Sequence, residues 1–124
     1  LQIMRRLDHA HIVRLHETIR EGDVIRLVMD LCTGGDLQAW IEARKGTGGL
    51  PQDVYPTPSS FTVAQFAWQM LAAISYIHLH NIAHRDVKPD NYLLTDASAA
   101  AKLKLTDFNL ATFYTPGESL TEDC

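Results

Sequence analysis

Pro89 falls near the end of the stretch Ile82-Ala83-His84-Arg85-Asp86-Val87-Lys88-Pro89-Asp90-Asn91, and it limits what the chain can fold into there. Proline fixes its own φ, donates no backbone hydrogen bond and biases Lys88 away from helical geometry, so Asp86, Lys88 and Asn91 are expected on an irregular loop. Such a loop is where chemistry can sit. A carboxylate accepts a proton from a hydroxyl, an ammonium offsets developing phosphate charge, and an amide oxygen ligates a hard cation such as Mg²⁺. Together these groups suit phosphoryl transfer.

The segments on either side of this loop have recognisable periods. Val63, Phe66, Ala67, Met70, Ala73, Ile74 and Ile77 recur at helical spacing and predict a helix whose apolar stripe forms the core. Leu103 to Asn109 alternates apolar and polar residues like a short strand and ends on Asp107, a second acid placed to face the loop. Nearer the start, Ile3, Met4 and Leu7 predict the end of an amphipathic helix over 1–7. The β-rich runs 12–15 and 24–29, with Glu21-Gly22-Asp23 between them, predict an antiparallel hairpin. Gly34 and Gly35 then form a hinge-like connection, and Asp36 is a natural cap for a helix over Leu37 to Arg44. Residues 45–60 carry Gly46, Gly48, Gly49, Pro51, Pro56 and Pro58 and are expected to be a loop, read here as an insertion without a function of its own.

At 46% apolar and 21% charged residues the chain has the composition of a globular unit with one core, which excludes the disordered class. It contains no apolar run near the roughly 18 residues of a membrane span and no signal peptide, so an intracellular, cytoplasmic setting without a membrane partner is expected. Cys32 and Cys124 lack metal-ligand spacing and are expected to be reduced thiols. A formal charge of −4 argues mildly against nucleic acid as a partner and agrees with a basic peptide substrate. His78 and His80 point to nearly opposite sides of a helix and His84 lies beyond it, so a zinc site is not expected. His9, His11 and His16 are expected at the surface or in turns.

Taken in order, these residues resemble a eukaryotic protein kinase. His84 to Asn91 is similar to the H-R-D-x-x-x-x-N catalytic loop, and Asp107-Phe108 to the start of D-F-G. The resemblance implies an α+β, two-lobed fold of which the chain holds a part. Residues 1–31 would be the end of the small lobe (the end of helix αC and strands β4 and β5 in family terms). Residues 32–124 would be the hinge and the first part of the large lobe. The chain is shorter than such a domain, both ends look cut, and the glycine-rich loop, the β3 lysine and the αC glutamate would lie upstream.

The resemblance also implies roles. Asp86 would orient a substrate hydroxyl and accept its proton, Lys88 would offset charge on the γ-phosphoryl, and Asn91 and Asp107 would hold Mg²⁺. Met29 would back the adenine pocket of ATP, the Asp30 carbonyl and the Cys32 backbone would hydrogen-bond adenine, and Leu93 would form its floor. Asp36 would reach ribose or a basic substrate residue, or simply cap its helix, or both. His84 would stack with Met4, Leu15 and Phe108 in a spine linking the lobes. Lys88 resembles the serine/threonine type, so a protein Ser or Thr acceptor is implied, with Asp36 and Asp90 suggesting basic flanks. The wording is most similar to the calcium/calmodulin-dependent and calcium-dependent kinases. Two positions depart from the pattern: Val87 replaces the usual Leu, and Asn109 replaces the D-F-G glycine, which is expected to restrict flipping of that loop. The alternative that Asn109 supports is a pseudokinase or truncated scaffold that binds nucleotide or partners. Residues 110–124 resemble an activation loop in which Glu122 would pair with Arg85, Thr121 being the alternative phosphosite.

Overall fold

Short two-stranded sheets, rather than one continuous sheet, organise the computed structural model, which describes residues 1–45 and 59–120. The opening helix is a single turn, α1 (Gln2–Arg5). It stops short of the predicted 1–7 because Leu1 supplies no side-chain cap and so short a helix gains little from its own hydrogen bonds. Leu7 is nevertheless buried.

The hairpin exists, with its first strand displaced. β1 (Leu15–Glu21) pairs antiparallel with β2 (Val24–Met29), from Glu21 opposite Val24 down to Leu15 opposite Met29. The two-residue turn is made by Gly22, at φ +58°, and Asp23, and it sets this register. The expected strand at 12–15 was placed too early. Ile12 and Val13 are apolar because they are buried: the Val13 N–H donates to the Leu105 carbonyl at 2.9 Å, and the Leu105 N–H to the His11 carbonyl at 2.8 Å. Every residue of β2 is exposed.

Helix α2 (Leu37–Arg44) begins where expected, with the Asp36 carboxylate accepting from the Ala39 N–H at 2.8 Å. Ser59 caps α3 (Ser60–Leu79) in the same way through Thr62. The buried face of α3 is Phe66, Gln69, Ala73 and Ile77, with Met70 and Ile74 packed partly against the core. Val63 and Ala67, expected in that stripe, are exposed, and Gln69 takes a core position because its amide oxygen accepts the Leu103 N–H at 2.8 Å. A buried polar side chain satisfied this way is invisible to an apolar period.

After α3 the chain makes four short strands. β3 (Ile82–Ala83) pairs with β6 (Thr112–Phe113), and β4 (Tyr92–Leu94) pairs with β5 (Leu103–Leu105), both antiparallel. Ile82, Tyr92, Leu103 and Leu105 are fully buried. The Tyr92 hydroxyl donates to the Met70 carbonyl at 3.2 Å, and burial pushes its phenol up to about 12. Among the described residues no helix is long and apolar enough to cross a membrane.

Candidate functional site

The loop between β3 and β4 is held by a closed circuit of hydrogen bonds. His84 is 2% exposed; its Nε2 donates to the Thr106 carbonyl at 2.9 Å, while its Nδ1 accepts the Asp86 N–H at 3.2 Å. These two contacts select the Nε2–H tautomer, since a carbonyl only accepts and a backbone N–H only donates. The Thr106 N–H in turn donates to the Asn91 carbonyl at 2.8 Å. Asn91 closes the ring: its buried amide Nδ2 donates to the Asp86 carbonyl at 2.7 Å and to the Asp86 Oδ2 at 3.1 Å. His84, Asp86, Asn91 and Thr106 therefore fix one another.

Pro89 starts a 3₁₀ turn, Pro89–Asn91, and Lys88 before it is extended, as proline demands. The turn carries Asn91 inward while Lys88 stays half-exposed, its Nζ 3.5 Å from the Asp86 Oδ1. Asp86 thus faces the Asn91 amide with one oxygen and the Lys88 ammonium with the other. Because Asn91 Nδ2 is committed to Asp86, the amide oxygen is the atom left to meet a cation.

Asp107 follows Thr106 directly and is half-buried. It sits at φ +60°, in the left-handed region that Asp tolerates better than most residues, and its Oδ1 accepts the Asn109 N–H at 3.3 Å. The positive φ in this turn belongs to Asp107, whereas Asn109 does not adopt one. Arg85 also has a positive φ, +65°, and its Nε donates to the Leu110 carbonyl at 2.7 Å. Strain at a residue without a tolerant side chain persists only where its surroundings over-determine it.

Of the predicted spine, the His84 and Phe108 rings meet edge-on, with centroids 4.9 Å apart. Met4 and Leu15 are half-buried and stand outside the buried core cluster. Among the described residues no group of three or more His, Cys, Asp or Glu is arranged to hold a metal. His11 lies in a turn, as expected, but is buried there, its Nδ1 donating to the Leu103 carbonyl at 2.9 Å. Backbone carbonyls at the edge of a two-stranded sheet need donors, and the imidazole supplies one.

The connection from β2 to α2 runs beside β4. Thr33 N–H donates to the Thr95 carbonyl at 3.2 Å, Gly34 N–H to the Leu94 carbonyl at 3.0 Å, and Asp36 bridges to half-buried Leu93. A Cβ on Gly34 would collide with the Asp96 carbonyl and with Leu94, so glycine is required for this approach. Asp36 is the helix cap already described. Met29 ends β2 and is 41% exposed, and Cys32 is half-buried, with burial pushing its thiol up.

Asp30 holds the arrangement that the residue pattern did not suggest. Its Oδ2 accepts the Arg14 N–H and the Lys104 ammonium, each at 3.0 Å, and its Oδ1 accepts His16 Nε2 at 2.7 Å. Burial alone would raise this carboxyl, but the Arg14 N–H, His16 and Lys104 outweigh it and bring it down to about 2. These partners lie 14, 16 and 74 residues away, beyond the reach of any local motif.

Beyond β6, a cavity of about 310 Å³ is lined by Arg85, Tyr114, Glu118 and Ser119, among others. The expected partner of Arg85, Glu122, lies outside the described residues, as do Thr121, Cys124 and residues 46–58 of the expected loop.

Residues 1–124 match the protein kinase domain. Over 114 residues, 92% of this chain and 19% of the relative, it is 38% identical to calcium-dependent protein kinase 3 of Plasmodium yoelii yoelii. It is 41% identical over 110 residues to the calcium/calmodulin-dependent protein kinase type II of Caenorhabditis elegans, covering 89% of this chain and 14% of that one. With CBL-interacting protein kinase 4 of Oryza sativa subsp. japonica it shares 43% identity over 108 residues, 87% of this chain and 21% of the relative. The chain thus spans about a fifth or less of the length of these relatives.

Proposed function

The chain belongs to the protein kinase domain family, and on that premise we propose that it is part of a serine/threonine kinase transferring the γ-phosphoryl of ATP to a protein hydroxyl. The observation that carries this reading is the closed circuit through His84, Asp86, Asn91 and Thr106, which organises one carboxylate and one amide oxygen side by side. In this reading residues 1–31 belong to the small lobe and 32–124 to the hinge and large lobe, and the protein works in the cytoplasm.

Asp86 orients the acceptor hydroxyl and takes its proton as the bond to phosphorus forms. Its position is fixed before substrate arrives, because Asn91 holds its Oδ2 and its own N–H is tied to His84. Lys88, at 3.5 Å, lowers the cost of the Asp86 charge and is exposed enough to turn towards the transferring phosphoryl. The Asn91 amide oxygen and the Asp107 carboxylate are hard oxygen donors of the kind Mg²⁺ takes alongside water and phosphate oxygens, so the donor set fits that ion. When bound, Mg²⁺ offsets charge on the β- and γ-phosphates. Adenine is received by the Asp30 carbonyl and the Cys32 backbone, with Met29 behind and Leu93 beneath. Asp36 keeps one carboxylate oxygen beyond its capping bond, and with exposed Asp90 it favours basic residues beside the acceptor.

The test is transfer of labelled phosphate from Mg²⁺-ATP by the full-length protein to matched peptides carrying Ser, Thr or Tyr with basic flanks. Transfer to Ser and Thr and not to Tyr is expected, with loss of Mg²⁺-dependent nucleotide binding in Asp107→Asn. Mg²⁺-ATP binding without transfer to any peptide would favour the non-catalytic alternative that Asn109 suggests.

A further inference from the structure

The segment from Asp30 to Gly34 is secured at its two ends and not between them. At the far end, Thr33 and Gly34 hydrogen-bond to β4. At the near end, the Asp30 N–H donates to the Arg14 carbonyl at 3.0 Å, and the carboxylate gathers the Arg14 N–H, His16 and Lys104. Leu31, between them, is 84% exposed. The near-end clamp is electrostatic, and it joins the base of the hairpin, where β1 starts and β2 ends, to the middle of β5, a strand of a different sheet.

Lys104 is the far arm of this clamp. Its side chain and that of Asp30 are each 21% exposed, so the pair is shielded from solvent more than the other Lys and Arg pairs of the described residues, such as Arg26 with Glu21. Shielded, charge-assisted contacts of this kind are worth more than surface pairs. Lys104 also sits three residues ahead of Asp107 on the strand that leads to it. A single contact therefore ties the backbone proposed to receive adenine to the strand that feeds the proposed metal ligand.

We propose that Asp30 and Lys104 are positioning residues: their ion pair, completed by the Arg14 N–H and His16, fixes the backbone of residues 30–32 against β5 and so sets the affinity of the site for nucleotide. This rests on the kinase reading above. Neither side chain touches substrate; both act through the backbone they hold. Removing the Lys104 charge leaves Asp30 with only the Arg14 N–H and His16 and frees the connection to shift relative to β5. Nucleotide affinity then falls while the Asp86 circuit, which does not include Lys104, stays as it is.

The experiment compares wild type, Lys104→Met and Lys104→Arg in the full-length protein, reading KM for Mg²⁺-ATP, KM for peptide, kcat, Tm and, by titration, the Kd for Mg²⁺-ATP. Lys104→Met is expected to raise KM and Kd for Mg²⁺-ATP about tenfold, the size expected from one charge-assisted hydrogen bond. Peptide KM and kcat should stay within about twofold, and Lys104→Arg should restore nucleotide affinity. Asp30→Asn should raise the nucleotide Kd in the same direction. Unchanged nucleotide affinity in Lys104→Met and Asp30→Asn, or a fall in Tm and kcat with KM unaltered, would overturn the proposal while leaving the kinase reading intact. A folded wild-type protein that binds no Mg²⁺-ATP would instead overturn the kinase reading and this proposal with it.

Discussion

The stretch from His84 to Phe108 and the hairpin from Leu15 to Met29 are held together on different terms. In the first, nearly every polar group that matters is tied to another within the same stretch, and the apolar residues Tyr92, Leu94, Leu103 and Leu105 are buried. In the second, the strands pair along their length apart from an irregularity between Leu15 and Glu17, yet Val24, Ile25, Leu27, Val28 and Met29 are all 40% exposed or more. Two strands alone make a weak unit without a face to bury. The contrast teaches that the proposed catalytic loop is preorganised by this chain's own residues, whereas the hairpin is joined to the rest at its base, through the backbone bonds of residues 11–13 to Leu105 and the Asp30 carboxylate, and along β1 by the Arg5 to Thr18 contact at 3.2 Å.

The sharpest way to break this contrast is a pair of core truncations. Leu105→Ala, at a fully buried position, is expected to cost about 2–5 kcal/mol in urea unfolding. Leu27→Ala, at a 40% exposed position, is expected to stay within about 0.5 kcal/mol in this 124-residue chain. Equal losses would mean that the hairpin is packed as tightly as the loop.

Next in size is the circuit itself. His84→Phe keeps a ring against Phe108 but leaves the Thr106 carbonyl and the Asp86 N–H without their partner, a loss of about 1–3 kcal/mol. Faster amide exchange at Asp86 should accompany it, and unchanged exchange there would mean that the ring of bonds does not act as a unit.

Acid provides a test of the Asp30 clamp. A carboxyl held at about 2 rather than 3.8 contributes stability that is fully present above pH 4 and is lost as the pH falls towards 2. The size is about 2 kcal/mol, and Asp30→Asn should flatten that part of the stability profile; an unaltered profile would contradict the clamp.

The smallest effect belongs to His9. Its Nδ1 accepts the His11 N–H at 3.0 Å, its ring lies tilted against Tyr76 with centroids 4.9 Å apart, and its pKa is lowered by burial first and then by the neighbouring His11 and Lys104. The unfolded chain takes up the proton before the folded one, so His9 costs nothing above pH 6.5 and begins to destabilise the fold as the pH falls through 6.5. His9→Asn should reduce the slope of stability against pH just below that point, and an unchanged slope would remove His9 from the account.

How much of this was legible in the sequence follows from the range of the contacts. Pro89 forces the loop, Asp36 caps its helix and Gly22 makes the hairpin turn, because each acts on its own backbone. The loop residues Asp86, Lys88 and Asn91 do meet, being within six positions of one another. Thr106 was missed, since it enters the circuit through backbone atoms that any residue carries. The burial of Gln69 and His11 was not legible, because each is a polar side chain set against β5, where a lone backbone group needed a partner. Strand β1 was set too early because Ile12 and Val13 are apolar for burial rather than for pairing within the hairpin.

The measurement that bears most directly on the circuit as an active site is single-turnover phosphate transfer from Mg²⁺-ATP by the full-length protein, beside its Asp86→Asn variant. Asn at position 86 preserves the backbone contacts to His84 and Asn91 and removes only the charge that takes the proton. Transfer is predicted to fall by about 10²–10⁴-fold with Mg²⁺-ATP affinity within about twofold of wild type. Equal transfer rates in the two proteins would contradict the role assigned to Asp86 and, with it, the function assigned to the loop.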